Sequence, residues 1–160
     1  MKPAIVGHRG SPNLTPENTI PSFIKAIELG VNIVELDARS AGDGTIVVIH
    51  DESVNRTTNG SGLVKDLDIG KIKALDAGSW FGHAFKGTAI PTLEEALMAI
   101  DGRILTRIEL KDGGMEGTIH NLVRELGLVE KVQVASFELA RIKKFREISP
   151  GTPSVAISTA

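Results

Sequence analysis

Gly7-His8-Arg9-Gly10 closes an apolar run, and Glu35-Leu36-Asp37, His50-Asp51 and Glu109-Leu110-Lys111 each stand where a short β-branched run finishes. Strand ends share one rim of a sheet, so two imidazoles, three carboxylates and two cations can converge there. Such a set suits phosphodiester cleavage with a bound divalent metal: acids to hold the ion, histidines to move protons, and Arg and Lys to grip the phosphate.

Glu35 and Asp37 are two residues apart in a strand pattern and project to one face, as do Glu109 and Lys111. Three inward carboxylates are expensive to desolvate unless a cation meets them. An all-oxygen donor set, Glu35, Asp37 and Glu109, selects a hard divalent cation, Mg²⁺ or Ca²⁺, with Mn²⁺ a third candidate. The alternative is strand-end salt bridges to Lys111 or Arg107. A histidine near pKa 6.5 gives or takes a proton at neutral pH, which makes His8 and His50 the acid/base candidates, against a structural role for either ring. Arg9 offers a planar fork and Lys111 a point charge for phosphate oxygens, unless neighbouring acids claim them. His83 and His120 read as surface residues. Trp80 and Phe81 read either as an apolar wall near a substrate or as core packing of the insertion.

The elements that must position these groups alternate. Strand patterns cover residues 4–7, 32–37, 45–50, 104–110, 132–136 and 154–158. Helical spacing joins Ile20, Phe23, Ile24 and Ile27 after an Asn18-Thr19 cap signal, with Pro21 tolerable in a first turn. Thr92 and Glu95 form a capping box before Leu93, Leu97 and Ile100. Ile119, Leu122, Val123 and Leu126 make a third helix; Leu139, Ile142 and Phe145 make a fourth. Strand, helix, strand implies parallel strands in an α/β fold. One connection is too short for that: only residues 38–44 separate Asp37 from the next strand, leaving no room for a crossover helix. At about 3.3 Å per residue they reach roughly 23 Å, enough for an extended return to a parallel strand. An antiparallel hairpin turning at Asp43-Gly44 is equally supported. Residues 52–91 are glycine-rich, with one short helix around Ile69, Ile72 and Leu75, and read as an insertion over the strand tips.

The chain has 160 residues, a formal net charge of −2 and 41% hydrophobic residues, with mean hydropathy +0.05. This is the make-up of one soluble globular domain. No Lys/Arg cluster marks a nucleic-acid or anionic-membrane partner. Cysteine is absent, which excludes disulfide and thiolate chemistry. The apolar run at residues 4–6 is too short for a signal core or a membrane span, so a cytoplasmic location without stable membrane insertion is expected.

Taken in order, Gly7-His8-Arg9-Gly10, Pro16-Glu17-Asn18-Thr19, Glu35-Leu36-Asp37, Asp43-Gly44, His50-Asp51, Arg56-Thr57-Thr58-Asn59-Gly60, Leu75-Asp76-Ala77-Gly78, Pro91-Thr92-Leu93-Glu94-Glu95, Glu109-Leu110-Lys111 and Ser136-Phe137 resemble the glycerophosphodiester phosphodiesterase family, from about residue 4 to about residue 150. The resemblance implies a TIM-type (β/α)₈ barrel domain over residues 1–160, with its site at the C-terminal strand ends and an insertion after the third strand at residues 52–91. It implies hydrolysis of small-molecule glycerophosphodiesters to sn-glycerol 3-phosphate and an alcohol. It further implies that Glu35, Asp37 and Glu109 hold the metal, His8 and His50 are the acid/base pair, and Arg9 and Lys111 contact the phosphate. It favours the extended return between the second and third strands.

Two features depart from the family pattern. Arg107, two residues before Glu109 on the same face, stands where a small polar residue is common, and a third cation there could weaken metal binding or pair with Glu35. An eight-stranded barrel takes about 250 residues, whereas six strands are counted before Ala160. The expectation is that the last two strands are missing, and that the remainder of a longer chain or self-association closes the barrel. Other readings are a barrel phospholipase of the phospholipase C or sphingomyelinase D kind, and a non-catalytic phosphodiester-binding module or inactive fragment.

Overall fold

The computed structural model describes residues 3–158. Strands β1 (Val6–Gly7), β2 (Ile33–Ser40), β4 (Leu105–Leu110), β5 (Val132–Ser136) and β6 (Ser154–Ala156) form a sheet in the order β1-β2-β4-β5-β6, every adjacent pair parallel. Helices α1 (Ile20–Glu28), α3 (Leu93–Ile100), α4 (Glu116–Glu125) and α5 (Leu139–Ile148) supply the crossovers, and the five-residue α2 (Ile69–Lys73) lies in the excursion between β3 (Ile46–Val48) and α3.

The strand period of two divides the sheet's faces. Val34, Leu36 and Ala38 of β2, Ile108 and Leu110 of β4, and Val132 and Val134 of β5 share one buried cluster with Phe23, Leu97, Ile119 and Phe145 from the helices. The alternate residues, Glu35, Asp37 and Arg39 on β2 and Arg107 and Glu109 on β4, therefore lie on the face the helices do not cover. In register, Glu35 stands opposite Arg107 and Asp37 opposite Glu109.

Helix starts follow the expected chemistry with one exchange. Thr92 accepts from Glu95 N while the Glu95 carboxylate accepts from Thr92 N, a complete capping box at α3. At α1 the N-cap is Thr19, whose hydroxyl instead donates to Pro16 O. Asn18 faces the strand ends.

The β2–β3 connection corrects the parallel reading: β3 pairs antiparallel with β2, Ala38 opposite Val48 and Ser40 opposite Ile46. Among the described residues, five strands are thus parallel and one is not. The cause is local. β2 runs three residues past Asp37, Asp43 accepts from Thr45 N, and Gly44 takes a left-handed φ of 85° in a turn closed by Gly44 N to Ala41 O. The returning chain comes back level with Asp37, whose carbonyl accepts from Ile49 N at 3.0 Å. A short hairpin therefore delivers His50 beside Asp37 as well as an extended return would.

Residues 52–91 fold around their own small core. Val54, Val64, Ile72, Ala77 and Ile90 are buried together against Val47 and Ile49 of the hairpin. Trp80, Phe81 and Phe85 stack edge to face in succession, and Trp80 Nε1 donates to Ala77 O. These aromatic rings are engaged with one another within the excursion.

Candidate active site

The loop after β1 is a tight bend. Gly10 N donates to Gly7 O, Arg9 has φ 56° and Gly10 has φ 89°. A Cβ on Gly10 would collide with Ser22 of α1, so only glycine fits. Ser22 Oγ donates to Arg9 O and accepts from Ser11 N, which pins the bend to the helix and turns Arg9 toward β2.

Glu35, Asp37 and Glu109 are all buried, and each offers an oxygen within 4.8 Å of the other two. Their surroundings do not saturate them. Glu35 Oε2 accepts from Arg9 N at 2.9 Å, while Glu35 Oε1 is buried with no hydrogen-bond partner. Asp37 Oδ2 accepts from Asn18 Nδ2 at 2.8 Å and lies 3.4 Å from Arg9 Nε. Asp37 Oδ1 is 3.3 Å from Lys111 Nζ without hydrogen-bonding geometry. Lys111 Nζ donates to Glu109 Oε1 at 2.6 Å. Burial first, and then the Asp37 charge, push the Glu35 carboxyl up to about 8. Buried acids with spare oxygens are what a hard cation would satisfy, so the trio fits a divalent ion.

The imidazoles border this cluster. His8 is largely exposed, with Nε2 3.9 Å from Glu35 Oε2. Partial desolvation and then the adjacent Arg9 charge hold it below the ordinary imidazole value, against Asp37 and Glu109, and His50 is close enough to act on it electrostatically. His50 Nδ1 is 2.7 Å from Asp51 Oδ1, and its carbonyl accepts from Arg39 Nε at 2.8 Å. Arg39 also donates to Asp112, just beyond Lys111.

Arg107 does not reach into the trio: its Nε donates to Gln133 Oε1 of β5 at 2.7 Å, which answers the expected pairing with Glu35. His83 is exposed, whereas His120 is half-buried rather than on the surface. Asn18, Glu17, Asp51 and Arg56 also frame the rim. Asn18 read as a capping residue, and its signal was its place beside Thr19 in a motif with more polar residues than a cap needs. Glu17 and Arg56 meet across 39 residues, a pairing no local pattern reveals.

The chain matches the profile of the Glycerophosphoryl diester phosphodiesterase family over residues 8–157. It is 42% identical over 156 residues to a glycerophosphodiester phosphodiesterase of Caldanaerobacter subterraneus, an alignment covering 94% of this chain and 64% of that protein. To a Bacillus subtilis glycerophosphodiester phosphodiesterase it is 35% identical, over 97% of this chain and 59% of that one. The chain thus spans less than two thirds of these curated relatives. Among solved structures, a glycerophosphodiester phosphodiesterase from Agrobacterium tumefaciens superposes with TM-score 0.90 at 38% identity, covering 96% of this chain and 66% of that one. An Oleispira antarctica phosphodiesterase in complex with the product sn-glycerol-3-phosphate superposes with TM-score 0.87 at 32% identity, covering 99% and 67%. With these neighbours, the parallel strands and their helices are an open part of a TIM-type barrel. Among the described residues no helix is long and apolar enough to cross a membrane.

Proposed function

The chain belongs to the glycerophosphoryl diester phosphodiesterase family, and we propose that it takes part in hydrolysing glycerophosphodiesters to sn-glycerol 3-phosphate and an alcohol, with a divalent cation among Glu35, Asp37 and Glu109. The observation that carries this reading is the buried acid trio with unmet oxygens, bordered by two imidazoles and two cations. Mg²⁺ and Ca²⁺ suit the all-oxygen donors, and Mn²⁺ is a third candidate. An ion held by Glu35, Asp37 and Glu109 would polarise a phosphoryl oxygen and lower the pKa of the attacking water or hydroxyl.

The chain's own residues do the rest. Arg9 and Lys111 take phosphoryl oxygens, the guanidinium through the N–H groups that Glu17 and Asp37 leave free and the ammonium as a point charge beside Glu109. Of His8 and His50, one accepts the nucleophile's proton and the other gives a proton to the departing alkoxide, so the pair ends with its protons exchanged and each ring must be restored before the next turnover. Asn18 holds Asp37 by both its backbone and its carboxylate, fixing one wall of the trio. Residues 1–160 supply a C-terminally incomplete barrel domain, with 52–91 inserted over the strand tips.

Glycerophosphocholine incubated with the protein and Mg²⁺ or Ca²⁺ should release glycerol 3-phosphate, EDTA should stop the release, and added cation should restore it. Choline phosphate in place of glycerol 3-phosphate would point to phospholipase C chemistry. Binding of the diester without any release would favour a non-catalytic module.

A further inference from the structure

A second chain of charges crosses the rim, starting at Arg9 and ending at His50. Arg9 Nη1 donates to Glu17 Oε1 at 3.0 Å. The same oxygen accepts from Arg56 Nη2 at 2.8 Å, and Glu17 Oε2 accepts from Arg56 Nη1 at 3.0 Å. Arg56 turns its remaining edge to Asp51, with Nε to Oδ2 at 2.7 Å and Nη2 to Oδ1 at 3.0 Å. Asp51 Oδ1 in turn meets His50 Nδ1 at 2.7 Å. Arg9 and Glu17 come from the loop between β1 and α1, and the other members from the loop after β3.

We propose that Arg56 and Glu17 are positioning residues that tie the ring of His50 to the guanidinium of Arg9, keeping the proton-transfer group and the phosphate-gripping group in fixed register. The inference rests on the hydrolytic reading above for the roles of His50 and Arg9, and on the observed bonds for the link.

An ordinary exposed ion pair contributes little. Arg56 differs because one guanidinium serves two carboxylates from two loops, each in bidentate geometry, which fixes direction as well as distance. Asp51, facing Nδ1, selects the tautomer with Nδ1 protonated and leaves Nε2 free for the reaction. If Arg56 is lost, Asp51 is free to rotate and the ring loses its preference. The same loss leaves Glu17 to Arg9 alone and loosens the guanidinium. The network stays charged across the working range. Hydrogen bonds from Arg56 hold Asp51 well below the usual carboxylate range. Glu17, which burial alone would raise, is lowered by Arg56 and Arg9.

Long-range ¹⁵N–¹H NMR of imidazole-labelled protein reads the His50 tautomer without substrate. The wild type should show a single tautomer protonated at Nδ1; Arg56→Ala should show averaged nitrogen shifts, and Arg56→Lys should recover them in part. Turnover of glycerophosphocholine by Arg56→Ala should fall on the order of 10- to 100-fold, with cation affinity by calorimetry unchanged as evidence of an intact fold. Glu17→Gln added to Arg56→Ala should cost little more, because both cuts break one chain. Lys25→Ala, which removes an exposed pair with Glu28 on α1, should change neither readout. An unaltered tautomer in Arg56→Ala overturns the proposal, as does a rise in KM at constant kcat, which would make Arg56 a substrate contact. Should Arg56→Ala fail to fold, Glu17→Gln carries the test through KM and kcat. If the wild type releases no glycerol 3-phosphate, the hydrolytic reading falls, while the tautomer still decides whether the link orients His50.

Discussion

Glu35, on strand β2 beside the Arg9 bend, and Asp76, in a turn of the excursion, are both acids within reach of backbone donors, and they are treated in opposite ways. Asp76 accepts from Gly78 N, Ser79 N, Ser79 Oγ and Gly87 N, and these bonds, the Ser79 hydroxyl first, hold its carboxyl well below the usual range. Glu35 accepts one backbone N–H, keeps one buried oxygen unmet, and has its carboxyl driven up. An acid that shapes a loop collects local donors until it is saturated. An acid left short of donors beside two other acids has capacity reserved for a ligand, at the expense of the metal-free fold.

The largest expected contrast lies in the histidines. His8→Ala or His50→Ala should lower turnover by roughly 10²-fold or more with cation affinity nearly intact. His83→Ala, in the exposed excursion, should leave turnover unchanged. Loss of cation binding in either site variant would make that histidine a ligand.

Acid-to-amide exchange sharpens the contrast next. Glu35→Gln should weaken cation binding yet stabilise the metal-free protein at pH 8 to 9 by about 1 kcal/mol, or roughly 2–4 °C in Tm. The sign follows from linkage. Because the folded-state pKa of Glu35 is raised, the folded chain retains a proton through the window from the ordinary glutamate range to about 8, where the unfolded chain has lost it. Wild-type stability therefore falls as pH rises across that window, and the advantage of Glu35→Gln should disappear by about pH 4, below the ordinary glutamate range. Thermal melts in EDTA at several pH values check this; a gain of the same size at every pH would contradict it.

The smallest effect is expected at Asp76. Asp76→Asn should lower Tm and leave kcat, KM and cation affinity as they are, measured by melting and steady-state kinetics. A change in cation affinity would break the division between the two acids.

Much of this arrangement is legible in the residues. Apolar spacing locates α1, α3, α4 and α5, and the Thr92–Glu95 pair fixes the start of α3, because these signals are local. Glu35 with Asp37, and Glu109 with Lys111, share a face by strand alternation alone. The β2–β3 hairpin is not legible, since seven residues ending in Asp43-Gly44 fit both an extended return and a turn, and family resemblance favoured the wrong one. Asn18 misleads because a residue beside a helix start reads as a cap, while its positive φ and its bonds to Asp37 depend on a strand 19 residues away. Arg107 could have met Glu35, its partner in register; Gln133 on the next strand takes it instead, a choice set by tertiary geometry.

Calorimetric titration of Mg²⁺ or Ca²⁺ into metal-free wild type, Glu35→Gln and Glu109→Gln tests the reserved capacity of the trio most directly. The account predicts one cation per chain, release of a proton near pH 7 as Glu35 ionises, and affinity reduced on the order of 100-fold or more in each variant, beyond the loss that attends removal of a mere supporting partner. Equal affinity in the three proteins would contradict it.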